Sequence, residues 1–325
     1  MKCKKFFSFA AIAVMLASFA AGPAAAADYS SWPEDDIRII YYTKAGSGGD
    51  LFLRQLAAAL HDKLNGHQLL IENIIDQTGR AAWSRVQKAK PDGYTLAGLS
   101  TTVVTADLVG NSPVKYKDFD YVIGLGLDPQ YVYCPIDAPY NTLAELVDYC
   151  KKNPGKIRWA TSTPTSASTL CTVSIVQDTG INVNRMVYQT GSDILVAMLG
   201  NFVDVAVGEY VDIGSQVEAK EIKLIALLAE ERNALNVPTA KEQGFDFVFD
   251  RARGLAAPKG TDPELVKRMY EVFAQAYDDP KFMEYLKMNA IDPVLMDGAT
   301  FLKSYDGIAE DIQETFDALI GTKAK

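Results

Sequence analysis

The chain has few residues of the kinds that most metal sites and catalytic triads require. It contains only two histidines, His61 and His67, and both lie before residue 68. Its four cysteines include no pair at the CxxC spacing, which zinc knuckles and thiol redox motifs use. The sequence therefore offers little material for a histidine-based metal centre or triad, and no cofactor is expected.

Positive charge is also scarce. The 32 lysines and arginines are outnumbered by 41 aspartates and glutamates, which gives a formal net charge of −9. Polyanionic partners bind through clustered basic side chains. This balance therefore disfavours nucleic acid and anionic membrane surfaces as partners.

The first 27 residues have the pattern of a secretory signal peptide. Lysines precede an apolar stretch over Phe6–Phe19, and small residues follow at 24–27. Beyond them, no run approaches the roughly 20 apolar residues of a membrane-spanning helix. We predict cleavage near residue 27 and a periplasmic, monomeric mature protein. Its charge would be −12, because the removed segment carries three lysines and no acid.

Three cysteines remain after residue 27: Cys134, Cys150 and Cys171. An oxidising compartment permits a disulfide, and Cys134–Cys150 is the pair that the sequence favours for one. Three buried free thiols are the alternative that the apolar surroundings favour.

Strand-length apolar runs alternate with helical patterns along most of the chain. This alternation predicts an α/β fold with mostly parallel strands, whose ligands bind in the loops after the strands. The predicted strands are Ile37–Tyr42, Gln68–Glu72, Tyr94–Leu99, Tyr121–Gly126, Tyr131–Pro135, Arg158–Thr161, Asn184–Tyr188, Val203–Val207 and Lys223–Leu228. The predicted helices are Leu51–Leu64, Ala81–Lys90, Leu143–Lys152, Ser168–Asp178 and Ile194–Leu199, with three more in 263–325. Four strand–helix junctions carry unusual loops, at 43–50, 73–80, 161–169 and 188–192.

The first of these loops, with the sequence AGSGGD, is compatible with three kinds of site. A phosphate loop requires a lysine after the glycines, and none follows here. A hydrolase would use Ser47 as its nucleophile, but it needs a histidine well downstream of the serine. A carboxylate site needs only close backbone approach and the unpaired N–H groups of a helix start. The residues favour the carboxylate, with Asp50 interpreted first as the helix N-cap.

Several motifs together resemble one protein family. They occur in the family's order as IRIIYYTKAGSGGD, IEN, KPDGYTL, NPGKIRWATS, LGNFVDVAVGE, LAEERNALNVPTAKEQG and GLAAPKGTDPELV. With them, residues 33–321 resemble the Bug-type periplasmic solute-binding receptors of tripartite tricarboxylate transporters.

This resemblance implies a type II-like periplasmic binding protein fold of two α/β domains, with a ligand cleft between them. One domain would combine residues 28–130 with 254–325, and the other would span 131–253. Main-chain N–H groups would hold the ligand's proximal carboxylate. The residues expected to bind ligand are Thr43, Ala45, Ser47, Gly48, Gly49, Asp50, Gly79, Arg80, Thr165, Ser166, Ala167, Ser168, Thr169, Tyr188, Gln189, Glu209 and Arg253.

The resemblance implies a receptor that captures a small organic anion, a di- or tricarboxylate, for membrane transporter subunits, without catalysing a reaction. Arg80 and Arg253 are expected to pair with the far carboxylate, and Lys44 is a weaker candidate. A periplasmic sensor for a signalling partner is the first alternative, and a hydrolase using Ser47 is the second. The chain departs from the family pattern at 42–44, at 74–80, at 208 and at 252–253, which bears on substrate identity rather than on fold.

Overall fold

A computed structural model of the chain describes residues 27–76, 79–108, 112–163 and 166–323. Nearly all of the predicted signal peptide, and Thr165 among the predicted site residues, lie outside these ranges. None of the helices in the described ranges combines the length and the hydropathy that crossing a bilayer requires.

Ten strands occur in the described residues, and all of them belong to one hydrogen-bonded sheet. Eight of them follow the order β2-β1-β3-β9-β4-β7-β5-β6, and both β8 and β10 pair with β4. The strands are β1 (Ile37–Tyr41), β2 (Leu69–Asn73), β3 (Thr95–Leu99), β4 (Phe119–Pro135), β5 (Arg158–Thr161), β6 (Asn184–Val187), β7 (Val205–Gly208), β8 (Ile222–Leu228), β9 (Asp250–Pro258) and β10 (Met296–Asp297).

The α-helices of the described residues follow the strands or form the C-terminal segment. They are α1 (Gly48–Ala59), α2 (Arg80–Gln87), α3 (Thr102–Leu108), α4 (Leu143–Lys152), α5 (Ala167–Thr179), α6 (Gly191–Leu199), α7 (Tyr210–Glu218), α8 (Pro263–Ala274), α9 (Pro280–Met288) and α10 (Gly298–Lys323). The bounds of α4 match the prediction, because both ends carry clear signals. Thr142 caps it by accepting a hydrogen bond from the Glu145 backbone N–H, and lysines occupy its last turn.

One long strand, β4, runs through both halves of the sheet. The first part of β4 pairs antiparallel with β9, and its last part, Gln130–Pro135, pairs antiparallel with β8. On one side the order is β2-β1-β3-β9-β4-β10, and on the other it is β8-β4-β7-β5-β6. The prediction of two separate strands over 121–135 is therefore wrong. The expectation of mostly parallel strands is also wrong, because every pairing of β4 and β9 is antiparallel.

The core divides in the same way. The largest apolar cluster surrounds β1, β3 and the first part of β4, and it includes residues of α8 and α10. Two further clusters lie around the second half of the sheet, one of them with Trp159 and the other with Tyr133. The mixed α/β architecture is thus confirmed. Cys134, Cys150 and Cys171 are free and buried, so the thiol alternative describes this structure.

The crossing of β4 and β9 depends on glycine at the point of closest approach. Gly254 lies opposite Gly124, and a Cβ on Gly254 would overlap the carbonyl oxygen of Ile123 and the ring of Phe301. Backbone atoms have little freedom to move away from such a contact. The strands can therefore pack this closely only without a side chain.

We expect Gly254→Ala to lower the free energy of unfolding by about 1–3 kcal/mol, the usual range for overpacking. The control is Gly307→Ala on α10, where a Cβ would meet no atom within 4 Å. That variant should be neutral or gain about 0.5–1 kcal/mol from helix propensity. Chemical denaturation measures both variants. Equal stability of the two would contradict the close crossing.

Candidate functional site

A cleft of about 170 Å³ lies between the two halves of the sheet. Six helices of the described residues begin at its walls: α1, α2 and α3 from one half, and α5, α6 and α7 from the other. The residues that bring these helix starts to the cleft are Gly48, Gly79, Thr102, Ala167, Gly191 and Glu209. Because the first-turn N–H groups of a helix lack intrahelical partners, this arrangement collects donors around one space.

Asp50 holds the loop before α1 in place. Its buried carboxylate accepts hydrogen bonds from the Gly46 backbone N–H (2.8 Å), from Asn73 (2.9 Å) and from Arg54 (2.8 and 3.1 Å). Burial opposes its ionisation, yet these partners lower its pKa. The prediction that Asp50 caps α1 is wrong. Ser47 occupies the N-cap position, and Asp50 lies within the first turn and stabilises the loop from behind.

The two glycines at the start of α1 have different surroundings. A Cβ on Gly48 would lie 2.5 Å from Val211 of α7, across the cleft. A Cβ on Gly49 would instead overlap the hydroxyl of Tyr41 within its own half and approach Arg253 to 2.9 Å. Gly48 therefore permits the two halves to approach each other, whereas Gly49 permits packing inside one of them.

The start of α2 rests on an aromatic side chain. Gly79 adopts a left-handed conformation before the helix, and the ring of Trp83 lies directly against it. Trp83 is buried and packs on Tyr42 with ring centroids 5.3 Å apart. Asp76 accepts a hydrogen bond from the Ala81 backbone N–H (2.6 Å), which fixes the loop before the helix.

Hydroxyl groups surround the start of α5. Ser166 caps the helix by accepting a hydrogen bond from the Thr169 backbone N–H. Ser168 lies 2.9 Å from the Ser162 hydroxyl oxygen, and Thr169 donates to the carbonyl oxygens of Ser162 and Thr163. The Ser/Thr-rich sequence thus supplies both the cap and the polar wall.

The start of α6 is tied to the opposite side of the cleft. Thr190 caps the helix through the Asp193 backbone N–H, and Asp193 forms an ion pair with Lys44 across the cleft (3.4 Å). Burial opposes ionisation of Asp193, but Thr190 and Lys44 lower its pKa. Lys44 is about half exposed, so this pair is worth at most about 1 kcal/mol.

A chain of ion pairs crosses behind the cleft. Arg253 is 2% exposed and pairs with Asp128 of β4 and with Glu209 (3.1 Å), which occupies the N-cap position of α7. Glu209 also pairs with Arg251. A buried guanidinium requires such partners, because an uncompensated charge in the interior costs several kcal/mol. Although burial opposes it, Asp128 raises the pKa of Arg253.

Ten of the predicted residues line the cleft, but their contact with a ligand stays a prediction. They are Thr43, Ser47, Gly48, Gly49, Gly79, Ser166, Ala167, Ser168, Gln189 and Glu209. The described structure places Ala45, Asp50, Arg80, Thr169, Tyr188 and Arg253 outside the lining. Arg253 in particular is enclosed by Asp128, Glu209 and the ring of Phe52, so it does not face the cleft as expected.

Two lining residues that the sequence reasoning did not select are Arg251 and Asp212. Arg251 lies two residues before Arg253 on β9, and its Nη2 lies 3.3 Å from the hydroxyl oxygen of Ser100. Asp212 lies in the first turn of α7, a helix that was not predicted. The sequence VAVGEYVD has the same strand–glycine–polar form as the other junctions, and that form was the signal available for finding it. Tyr42, Thr190 and Gly191 also line the cleft.

No group of histidine, cysteine, aspartate or glutamate side chains in the described ranges has the arrangement of a metal centre. Nor does either histidine line the cleft. What the walls present is hydroxyl groups, helix starts and paired charges. Such walls suit a small molecule with at least one anionic group.

The comparisons with known proteins identify a family. A family model described as "Tripartite tricarboxylate transporter family receptor" matches residues 52–319. The "UPF0065 protein in gbd 5'region" of Cupriavidus necator is 29% identical over 307 residues. The match covers 93% of this chain and 93% of that protein.

Solved structures share the fold. The periplasmic binding protein BugD is 25% identical, with a TM-score of 0.78 over 87% of this chain and 98% of that one. A structure titled "R. palustris Rpa4515 with adipate" has a TM-score of 0.80 at 20% identity, over 87% of this chain and 98% of that one. The two-domain periplasmic binding protein fold is therefore confirmed.

We expect Gly48→Ala to weaken carboxylate binding while leaving the ligand-free protein about as stable as the wild type. The added methyl group meets Val211 only where the two halves approach. Gly49→Ala, the neighbouring control, should instead lower the free energy of unfolding by about 1–3 kcal/mol, because its clash is internal. Calorimetry and denaturation of both variants measure the two effects. Equal losses of binding and stability in the two variants would contradict these separate roles.

Proposed function

The chain belongs to the tripartite tricarboxylate transporter receptor family, and from this premise we propose that it captures a small organic carboxylate and delivers it to the membrane subunits of such a transporter. It would do so in the periplasm, as a monomer, after cleavage of residues 1–27. The observation that carries this proposal is the meeting of six helix starts in one cleft.

The helix starts provide a grip for a carboxylate that needs no free cation. Each first turn presents unpaired N–H groups and the positive end of the helix dipole. Hydrogen bonds to a charged acceptor contribute about 1.5–3 kcal/mol each. Gly48 on one wall and Ala167 on the other permit a ligand oxygen to reach backbone on both sides of the cleft.

Binding would close the cleft by a hinge motion of two domains, residues 28–130 with 254–325 and residues 131–253. β4 runs through both halves, and β9 begins where the chain returns from the second half to the first, so bending would occur near 130–135 and 251–255. The pair Lys44–Asp193 crosses between these domains, and Arg253 joins Glu209 of the second domain to Asp128 of the first. These contacts would stabilise the closed arrangement around a ligand.

The same walls support binding without turnover. The solved neighbours named above are binding proteins, and Ser47 is not built as a nucleophile. Its hydroxyl oxygen lies 2.5 Å from that of Thr43, and a serine needs an adjacent base to be activated. His67 lies outside the cleft, with its Nδ1 4.0 Å from Asp36.

A thermal-shift panel of mono-, di- and tricarboxylates tests the proposal. A ligand at 100 times its Kd should stabilise the protein by about 2.7 kcal/mol through mass action. The uncharged amides of the same acids are the controls and should give no shift. After long incubation the acid should be recovered unchanged. Absence of any carboxylate shift would contradict the receptor, and product formation that Ser47→Ala abolishes would show a hydrolase.

Trp83 should report ligand binding by fluorescence. Its ring lies beneath Gly79 at the cleft, whereas Trp159 is buried in the second core and Trp32 packs on Phe273. We expect Trp83→Phe to remove most of the ligand-induced emission change, and Trp32→Phe, the control, to retain it. A change that survives in Trp83→Phe would place the ligand elsewhere.

A further inference from the structure

The cationic side chains of the cleft are already paired within the protein. Two of them line it, Lys44 and Arg251, and they pair with Asp193 and Glu209 respectively. Arg253, directly behind, pairs with Asp128 and Glu209. A second carboxylate on the ligand would therefore find no unpaired cation among these three.

Arg251 nevertheless retains one unused donor. Its Nε is buried and has no hydrogen-bond partner in the described residues, and the side chain as a whole is only 11% exposed. A buried N–H without an acceptor is unfavourable, because it has lost its hydrogen bond to water. Because Arg251 lines the cleft, a small shift of its side chain would bring this donor to a ligand oxygen while Nη1 keeps its pair with Glu209.

Asp212 presents the opposite situation. It lines the cleft from α7, and no lysine or arginine of the described ranges lies within ion-pair distance of it. The Ser192 hydroxyl donates a long hydrogen bond of 3.4 Å to its carboxylate. The carboxylate of Asp212 lies directly against Gly191. A Cβ at this position would overlap the carboxylate, so this close approach requires glycine. The site thus contains a carboxylate that lacks a counter-ion.

The surroundings of Asp212 are mostly acidic. Burial raises its pKa to about 6; Arg253 opposes this rise, and Asp128 and Asp193 add to it. The charges that line the cleft are two cations, Lys44 and Arg251, and three acids, Asp76, Glu209 and Asp212. The groups that face Asp212 are Ser192 and Asp193 on α6, Arg253 on β9, Asp128 and Tyr133 on β4, and Tyr285 on α9; Glu209, at the N-cap of its helix, lines the same cleft.

We infer that the ligand carries a protonated amino group beside its carboxylate, as an amino acid does, and that Asp212 selects for this group. The carboxylate would meet the helix starts and the Nε–H of Arg251. The amino group would supply the positive charge that Asp212 lacks. A neutral hydroxyl could occupy the place of the amino group and donate a hydrogen bond to Asp212, but it would leave the negative charge of the cleft uncompensated. This inference rests on the proposed carboxylate-binding function.

Matched ligands separate the amino group from the rest of the molecule. Calorimetry would compare aspartate with succinate, glutamate with glutarate, and alanine with propionate, with malate as the hydroxyl analogue of aspartate. We expect the amino member of at least one pair to bind about tenfold or more tightly than its amino-free partner and than malate. Asp212→Asn, which keeps the shape of the side chain, should remove that preference. Glu218→Gln, on the exposed end of the same helix, should retain it.

The outcomes of this comparison are distinct. An amino-free acid that binds as tightly as its amino partner would overturn the inference and leave the receptor function intact. A preference that survives in Asp212→Asn would also overturn it. If no acid of the wider carboxylate panel binds, the receptor function fails, and the inference fails with it.

The pH dependence gives a second readout that a purely structural role would not produce. A cationic ligand requires ionised Asp212, whose pKa in the free protein is about 6. Affinity for the amino ligand should therefore be full above that value and fall about tenfold between pH 7 and pH 5. The same amino ligand with Asp212→Asn should lack this fall. A fall of equal size in the wild type and in Asp212→Asn would contradict the role of Asp212.

Discussion

The burial of Arg253 is the constraint on which the cleft depends. A guanidinium this deep must be compensated, and its compensation comes from two places, Asp128 on β4 and Glu209 at the start of α7. One charge therefore ties both crossing strands to the second half of the molecule. Glu209 extends this link to Arg251, which forms part of the wall. The position of the wall therefore depends on the ion pairs that compensate the buried charge of Arg253 behind it.

This arrangement explains why the recognition surface is made of backbone and hydroxyl groups. The nearby arginines are engaged with acids of the protein, so they contribute order rather than free charge. Helix starts supply anion-binding donors whose geometry is independent of side-chain rotamers. A receptor of this construction can hold a carboxylate in the same way whatever the rest of the ligand is. Discrimination then depends on the few side chains in the first turns, such as Asp212.

The sequence was sufficient for the mixed α/β class and for part of the site. Helix α4 and strand β5 were predicted at their observed bounds, and the glycine and hydroxyl loops do reach the cleft, since local turn and cap chemistry determines them. The charged residues were less predictable. Arg253 and Arg251 share one face of β9, and only the packing of β4 against that strand decides which of them is enclosed. Similarly, Asp50 resembles a helix cap until Arg54 and Asn73 are seen to surround it.

The net charge of the protein is a weak guide to the ligand of this cleft. The overall excess of acid opposes the approach of an anion only weakly at physiological salt, because charges beyond about 8 Å are screened. Within the cleft that screening is reduced, and individual pairs decide the balance. There the cations Lys44 and Arg251 are matched by Asp193 and Glu209, and Asp212 has no lysine or arginine of the described residues within ion-pair distance. A ligand that brings one positive and one negative group meets both the helix starts and this carboxylate, which a purely anionic ligand of the same size does not.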